Sequence, residues 1–189
     1  APEVPLNARK KLLEIGKQHK LFCAASFTSE EIPQVLEEGI LAYVDLLAIN
    51  IDEAATIAGT SYEGAGVSGL IQEALQILQN HNKNIMVSIT AGKQGSCCWD
   101  GVSLSTFPSV DTLVASTAGA GDAFFAGLLC GKALGLSLAE SQQLATLIAG
   151  MSVQPPHTIN KDMDCASLLK FMRSSGLKFS EKIIKLLED

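Results

Sequence analysis

The sequence predicts an α/β fold, a mostly parallel sheet with helices on both faces. Three observations carry that reading. Short strand-like runs alternate with longer segments of helical apolar spacing. Those runs, "VDLLAIN" (44–50) and "NIMVSIT" (84–90), are apolar at most positions, as in strands buried on both sides. The stretches between them are long enough for the helical crossovers that parallel strands require.

Taken in order, "NARKKLLEIGKQH" (7–19) has helical spacing behind Asn7 as a cap, and "LFCAAS" (21–26) follows as a short strand. A second helix fits "SEEIPQVLEEGILAY" (29–43), and after the strand 44–50 the polar group "NIDE" opens a short helix that runs to Gly59. From Ser68, a further cap, to Asn82 the pattern puts Leu70, Ile71, Ala74, Leu75 and Leu78 on one helical face. After the strand 84–90, "GSCCWDGVSLSTFP" (95–108) reads as two short strands around an Asp100-Gly101 turn. The remainder is helical over about 119–135, 138–153 and 164–187, with breaks at Gly135 and Pro155-Pro156.

With 189 residues, of which 47% are hydrophobic and 18% charged, residues 1–189 suit a single α/β domain with one core. A net charge of -6 argues against a broad nucleic-acid surface, while leaving room for a local phosphate site. The longest apolar stretches are broken by charge or Gly well short of the ~20 residues that span a bilayer. Five cysteines, at 23, 97, 98, 130 and 165, lack metal or redox spacing and read as buried thiols of a reducing compartment, so a cytoplasmic location is expected. The chain opens "APEVPLNARKK", with neither an initiator Met nor a signal-peptide core.

The chemistry gathers in three polar loops. In "STAGAGDAFFAGLL" (116–129), Gly119, Ala120 and Gly121 precede Asp122 at the start of a helical pattern. Amides at such a helix start converge on an anion, and the missing Cβ atoms let a phosphate come close. The plain alternative is a tight turn into a helix with a first-turn acid. Phe124 rules out the dinucleotide fingerprint, and "GLLCGKA" lacks both the spacing and the hydroxyl of a P-loop. Asn50 and Glu53 form N-x-x-E, which by itself reads as a helix cap. Thr90, Gly92 and Gly95 form T-x-G-x-x-G, by itself a Gly-rich connection.

The run Thr117-Ala118-Gly119-Ala120-Gly121-Asp122 resembles the signature of the ribokinase-like (phosphofructokinase B type) carbohydrate kinases. The N-x-x-E and T-x-G-x-x-G motifs stand upstream in the family's order, and "LSLAESQQLATLIAGMSVQPPHT" (136–158) is similar to its closing helix and adenine-edge loop. The resemblance covers the family's carboxyl-terminal portion; its first strands, lid and most acceptor contacts have no counterpart here.

Membership would imply ATP-dependent phosphorylation of a hydroxymethyl group of a sugar or nucleoside. Asp122 would be the base, with the amides of Ala120, Gly121 and Asp122 as anion hole. Asn50 and Glu53 would act through water on Mg²⁺ and phosphate, while Thr90, Gly92 and Gly95 line the nucleotide phosphates. His157 falls at the adenine edge and is kept out of the catalytic set. The implied partners are ATP, Mg²⁺, a small-molecule sugar or nucleoside and a second copy through the missing lid, with no nucleic acid and no membrane. The chain by itself is expected to be inactive. Two departures, Ser116 for a customary Asp and Thr146 for a common Asn, count against a monovalent-cation site. They also motivate an alternative, a non-catalytic nucleotide-binding or regulatory module on the same scaffold.

Overall fold

A computed structural model describes residues 4–60, 62–157 and 159–188. It has two compact units, Ala1–Thr90 with Trp99–Ser103, and Ala91–Cys98 with Leu104–Asp189. The architecture is α/β, as the alternation of patterns predicts.

The first unit runs α1 (Leu6–Gln18), β1 (Ala24–Ala25), α2 (Ile32–Glu37), a 3₁₀ turn (Ile40–Tyr43), β2 (Leu46–Asn50), α3 (Ile51–Ala58), α4 (Tyr62–His81) and β3 (Met86–Thr90). Helices fill both crossovers, so β1, β2 and β3 are parallel, in registers from Ala24↔Leu46 and from Leu46↔Met86 to Asn50↔Thr90. Leu46, Leu47, Leu70, Leu78, Ile85 and Ile89 are fully buried, and all five residues expected on one face of α4 are in the core. Asn82 ties the end of α4 to the 3₁₀ turn by donating to the carbonyls of Leu41 and Val44, each at 2.9 Å.

Boundaries differ from the sequence reading where the backbone, rather than the pattern, decides. Pro5, not Asn7, precedes the first turn of α1, because its fixed φ suits entry to a helix. The expected helix over 29–43 is split by Gly39, which takes the left-handed conformation at φ 64°. The helix expected from Ser68 already begins at Tyr62, so Ser68 is an interior residue and not a cap.

The second unit holds a short 3₁₀ turn (Gly92–Gln94), β4 (Ser96–Trp99) as far as Cys98, β5 (Leu104–Phe107), α5 (Ala120–Ala133), α6 (Leu138–Ser152), α7 (Cys165–Ser174) and α8 (Glu181–Glu188). The hairpin turn, which belongs to the first unit, forms as expected, with Asp100 Oδ1 accepting from the amides of Val102 (2.9 Å) and Ser103 (2.7 Å). The helix expected over 164–187 is instead two, α7 and α8, interrupted at Gly176 with φ 69°. Leu144, Leu147, Met151, Leu168, Met172, Ile183 and Leu187 from three of these helices make one apolar core.

Among the cysteines, 23, 97 and 98 are buried as expected. Cys130 and Cys165 are exposed, one near the end of α5 and the other at the first position of α7. Their apolar neighbours in sequence misled, because a helix turns one of its faces to solvent whatever flanks each residue in sequence. No helix among the described residues is long and apolar enough to cross a membrane.

Helices α5 and α6 approach each other at backbone distance. A Cβ on Gly127 would stand 2.6 Å from Ala145 Cα, and one on Gly131 would stand 2.6 Å from Ser141 Oγ and 2.8 Å from Ser141 Cα. Helix propensity alone favours Ala over Gly by about 1 kcal/mol, but at Gly127 the obstacle is backbone and cannot swing away. Gly127→Ala is therefore expected to lower the unfolding free energy by about 1–3 kcal/mol. Urea denaturation checks this; an equal or higher midpoint would show that the helices can separate freely.

Candidate functional site

In the first unit, β2 and β3 end side by side, with Asn50 and Thr90 in register at their carboxyl ends. Asn50 leaves β2 in extended conformation and caps α3. Its Oδ1 accepts from the Glu53 amide at 2.9 Å, while Glu53 Oε2 accepts from the Asn50 amide at 2.8 Å. This is a complete capping box, so the plain reading of N-x-x-E holds. It does not exhaust the carboxylate, which offers about four acceptor positions and spends one on the cap. Burial pushes the Glu53 carboxyl above its ordinary range, with Asp52 and Glu31 adding to the rise and the Asn50 amide working against it. A charge held at a cost in this way is relieved by a cation nearby.

In the second unit, the loop after β3 is closed by the Ala91 amide donating to the Gly95 carbonyl at 2.8 Å and by Ser109 Oγ donating to the Lys93 carbonyl at 2.8 Å. Gly95 has φ 87°, and a Cβ there would lie 2.2 Å from the Phe107 carbonyl oxygen, so the fold itself demands glycine at this position. Gly92, at φ 55°, is exposed and meets no obstacle.

The α5 amino terminus follows from its glycines. Gly119 takes φ 81° and serves as the N-cap residue without any side-chain cap, whereas α3, α6 and α7 each carry a complete capping box. The Ala120 amide donates to the Thr117 carbonyl at 3.1 Å, and the Ala123 amide to the Gly119 carbonyl at 2.8 Å. Of the three amides expected to form an anion hole, the one on Ala120 is thus already engaged. Those of Gly121 and Asp122 make no hydrogen bond with the described residues' backbone. Asp122 is exposed in the first turn. Gly121 is unlike Gly95 and Gly119, for it has no positive φ and a Cβ there would meet nothing within 4 Å.

Asn50, Glu53 and Thr90 therefore come together at one sheet end of the first unit, while Gly92, Gly95 and Gly119 to Asp122 belong to the second. Ser116 Oγ accepts from the Ala118 amide at 3.3 Å, and Thr146, buried, donates to the Gln142 carbonyl at 2.9 Å. Both hydroxyls thus serve their own local backbone. His157 is exposed on an open depression lined also by Pro155, Pro156, Ile159, Asn160, Lys161 and Asp162. Sequence reasoning missed Gln142, a fully buried amide inside α6. The signal was there, a polar residue at a core position of a helical pattern, but its partners lie far away in sequence.

A sequence model described as pfkB family carbohydrate kinase matches residues 1–164. Fructoselysine 6-kinase of Shigella flexneri is 37% identical over 68 residues, 36% of this chain and 26% of that one. Adenosine kinase from Sinorhizobium meliloti is similar in structure with a TM-score of 0.69 at 25% identity, over 89% of this chain and 49% of that chain. Phosphofructokinase-2 from Escherichia coli, in complex with substrates and products, shares the fold with a TM-score of 0.73 at 18% identity, over 92% of this chain and 54% of that chain. The chain thus spans only about half the length of these solved structures.

The raised pKa of Glu53 has a definite sign in stability. Between the ordinary carboxyl range, near 4, and the raised value, the folded chain binds more protons than the unfolded, so this group's contribution falls as pH rises. Glu53→Gln keeps an acceptor for the Asn50 amide and removes the titration. Urea unfolding of the variant and its parent at a series of pH values is expected to show the variant gaining relative stability as pH rises through that window. A difference that does not vary with pH would contradict the assignment.

Proposed function

Because the chain belongs to the pfkB family of carbohydrate kinases, we propose that it forms the nucleotide-binding and catalytic-base part of a longer enzyme. That enzyme transfers a phosphoryl group from ATP to a hydroxymethyl group of a sugar or nucleoside. The observation that carries this reading is Gly121. Its backbone does not need glycine and its surroundings would admit a Cβ, yet glycine in a helix costs roughly 1 kcal/mol against alanine. The room matters to something that approaches the helix end from outside, and the uncapped amides there suit an anion.

The chemistry divides among few groups. The acceptor hydroxyl gives its proton to the Asp122 carboxylate as its oxygen bonds to the γ-phosphorus, and the bond from that phosphorus to the β-γ bridging oxygen breaks, releasing ADP. The amides of Gly121 and Asp122 and the positive end of the α5 dipole stabilise the charge that spreads over the transferring group. The Ala120 amide, engaged by Thr117, shapes the turn rather than the hole. The loop with Gly92 and Gly95 lies along the nucleotide phosphates, and the depression around His157 takes the adenine edge.

Magnesium, when bound, supplies positive charge that neutralises the nucleotide phosphates. Glu53 with Asn50 would hold it through water, which leaves the capping box intact. These are hard oxygen donors, and a half-buried carboxylate with a raised pKa fits a neighbouring cation.

A second reading, a nucleotide-binding module without turnover, is favoured by Ser116 and Thr146, whose hydroxyls are spent on local bonds. Exposed Asp122 favours the enzyme. In the full-length protein, Asp122→Asn is expected to lower phosphoryl transfer by about 10² to 10⁴-fold while leaving ATP binding in place. A loss smaller than about 10-fold would remove Asp122 from the role of base. Gly121→Ala is expected to weaken ATP binding at least about 10-fold, with unfolding free energy unchanged or raised by up to about 1 kcal/mol. Unaltered calorimetric affinity in that variant would sink the anion-hole assignment.

A further inference from the structure

Gln142 is 1% exposed, and its side-chain amide is bonded at both ends. Nε2 donates to the Ser96 carbonyl at 2.9 Å and to Ser96 Oγ at 2.9 Å, and Oε1 accepts from Ser105 Oγ at 3.0 Å. Ser105 Oγ also lies 3.3 Å from the Cys98 carbonyl. One side chain of α6 therefore grips both β4 and β5. Ser96 itself is buried and directly follows Gly95, the last residue of the Gly-rich loop.

An apolar residue of similar volume would fill this space without having to satisfy any polar group. What the amide adds is register. An apolar contact tolerates sliding along the helix axis, whereas three directed bonds to two strands fix where α6 stands against the hairpin. The neighbouring residue faces elsewhere: Ser141 lies against Gly131 of α5, where a Cβ would come within 2.6 Å of its Oγ. Adjacent residues of α6 thus bind it in two directions, to the strand that continues the Gly-rich loop and to the helix that begins at Gly119–Asp122.

We propose that Gln142 is a positioning residue for nucleotide binding. Through α6 it sets the placement of the 92–95 loop relative to the uncapped amides at the start of α5, so that both meet the phosphates of one nucleotide. The inference rests on the functional reading above and extends it to a residue that touches no substrate. Binding a polyphosphate at two points gains from preorganisation, which is lost when either point can drift.

The test is calorimetric titration of the full-length protein with ATP, comparing the parent with Gln142→Met, which keeps length and volume and removes the bonds. The expected result is a Kd for ATP raised at least about 10-fold at parental stoichiometry, with the KM for the acceptor unchanged. An irreversibly misfolded fraction lowers the stoichiometry and leaves Kd alone, and urea denaturation of the variant shows whether it is almost wholly folded under the titration conditions, so a loss of fold and a loss of placement are separable. Ser105→Ala, at a half-buried site and removing one of the three bonds to Gln142 together with the contact to the Cys98 carbonyl, keeps the question decidable if Gln142→Met does not fold; a rise in Kd of about 2–5-fold is expected. Parental affinity in a folded variant overturns the role of Gln142 while leaving the kinase reading intact. Failure of the parent to bind ATP at all overturns both.

Discussion

Much of the second unit depends on the contact between α5 and α6. Two helices usually meet through side chains at 8–10 Å. Here Gly127 against Ala145 and Gly131 against Ser141 remove the side chains from one partner, so backbone meets backbone. Such a contact has few alternative packings, because there are no long side chains to rearrange. It fixes the axis of α5, and with it the direction in which the first amides point. Gly119 then turns the chain into the helix at φ 81°, a conformation an L-residue with a Cβ adopts only under strain.

The first unit meets a different constraint. Parallel strands β2 and β3 finish at the same level, so their last residues, Asn50 and Thr90, are neighbours without any side-chain arrangement being needed. The polar residue that ends β2 also starts α3, and its capping box lets the chain turn sharply at the end of the strand. The same geometry half-buries Glu53, and burial is the main reason its carboxyl resists ionisation. The capping bonds of Asn50 and Glu53 are therefore compatible with the metal-holding role proposed for them.

What the sequence made legible was periodicity and spacing. The strands at 46–50 and 86–90 and the buried face of α4 could be read because apolar residues recur at strand or helix period. Breaks were harder. Gly39 and Gly176 each sit inside an apolar pattern that continues across them, and only their left-handed conformation shows that the helix has stopped. The motif residues were legible by spacing alone, but their physical reasons were not. Gly95 is required by the Phe107 carbonyl, Gly119 by its φ, and Gly121 by neither. Ala120 looks equivalent to its neighbours until the Thr117 carbonyl is seen to hold its amide. Gln142 stands out in the sequence only as a polar residue at a core position of a helical pattern, and its partners on two strands distant in sequence are not legible there.

The missing cap on α5 couples two quantities that are usually considered apart. Among the described residues α3, α6, α7 and α8 close their first turn with a side chain, whereas α5, like α1 and α2, does not. An anion bound there would be the cap that the sequence leaves out, and its binding free energy would appear as folding free energy. By mass action each tenfold excess of such a ligand over its Kd adds about 1.4 kcal/mol to the native state. The helix end would then be most prone to fray when no anion is held.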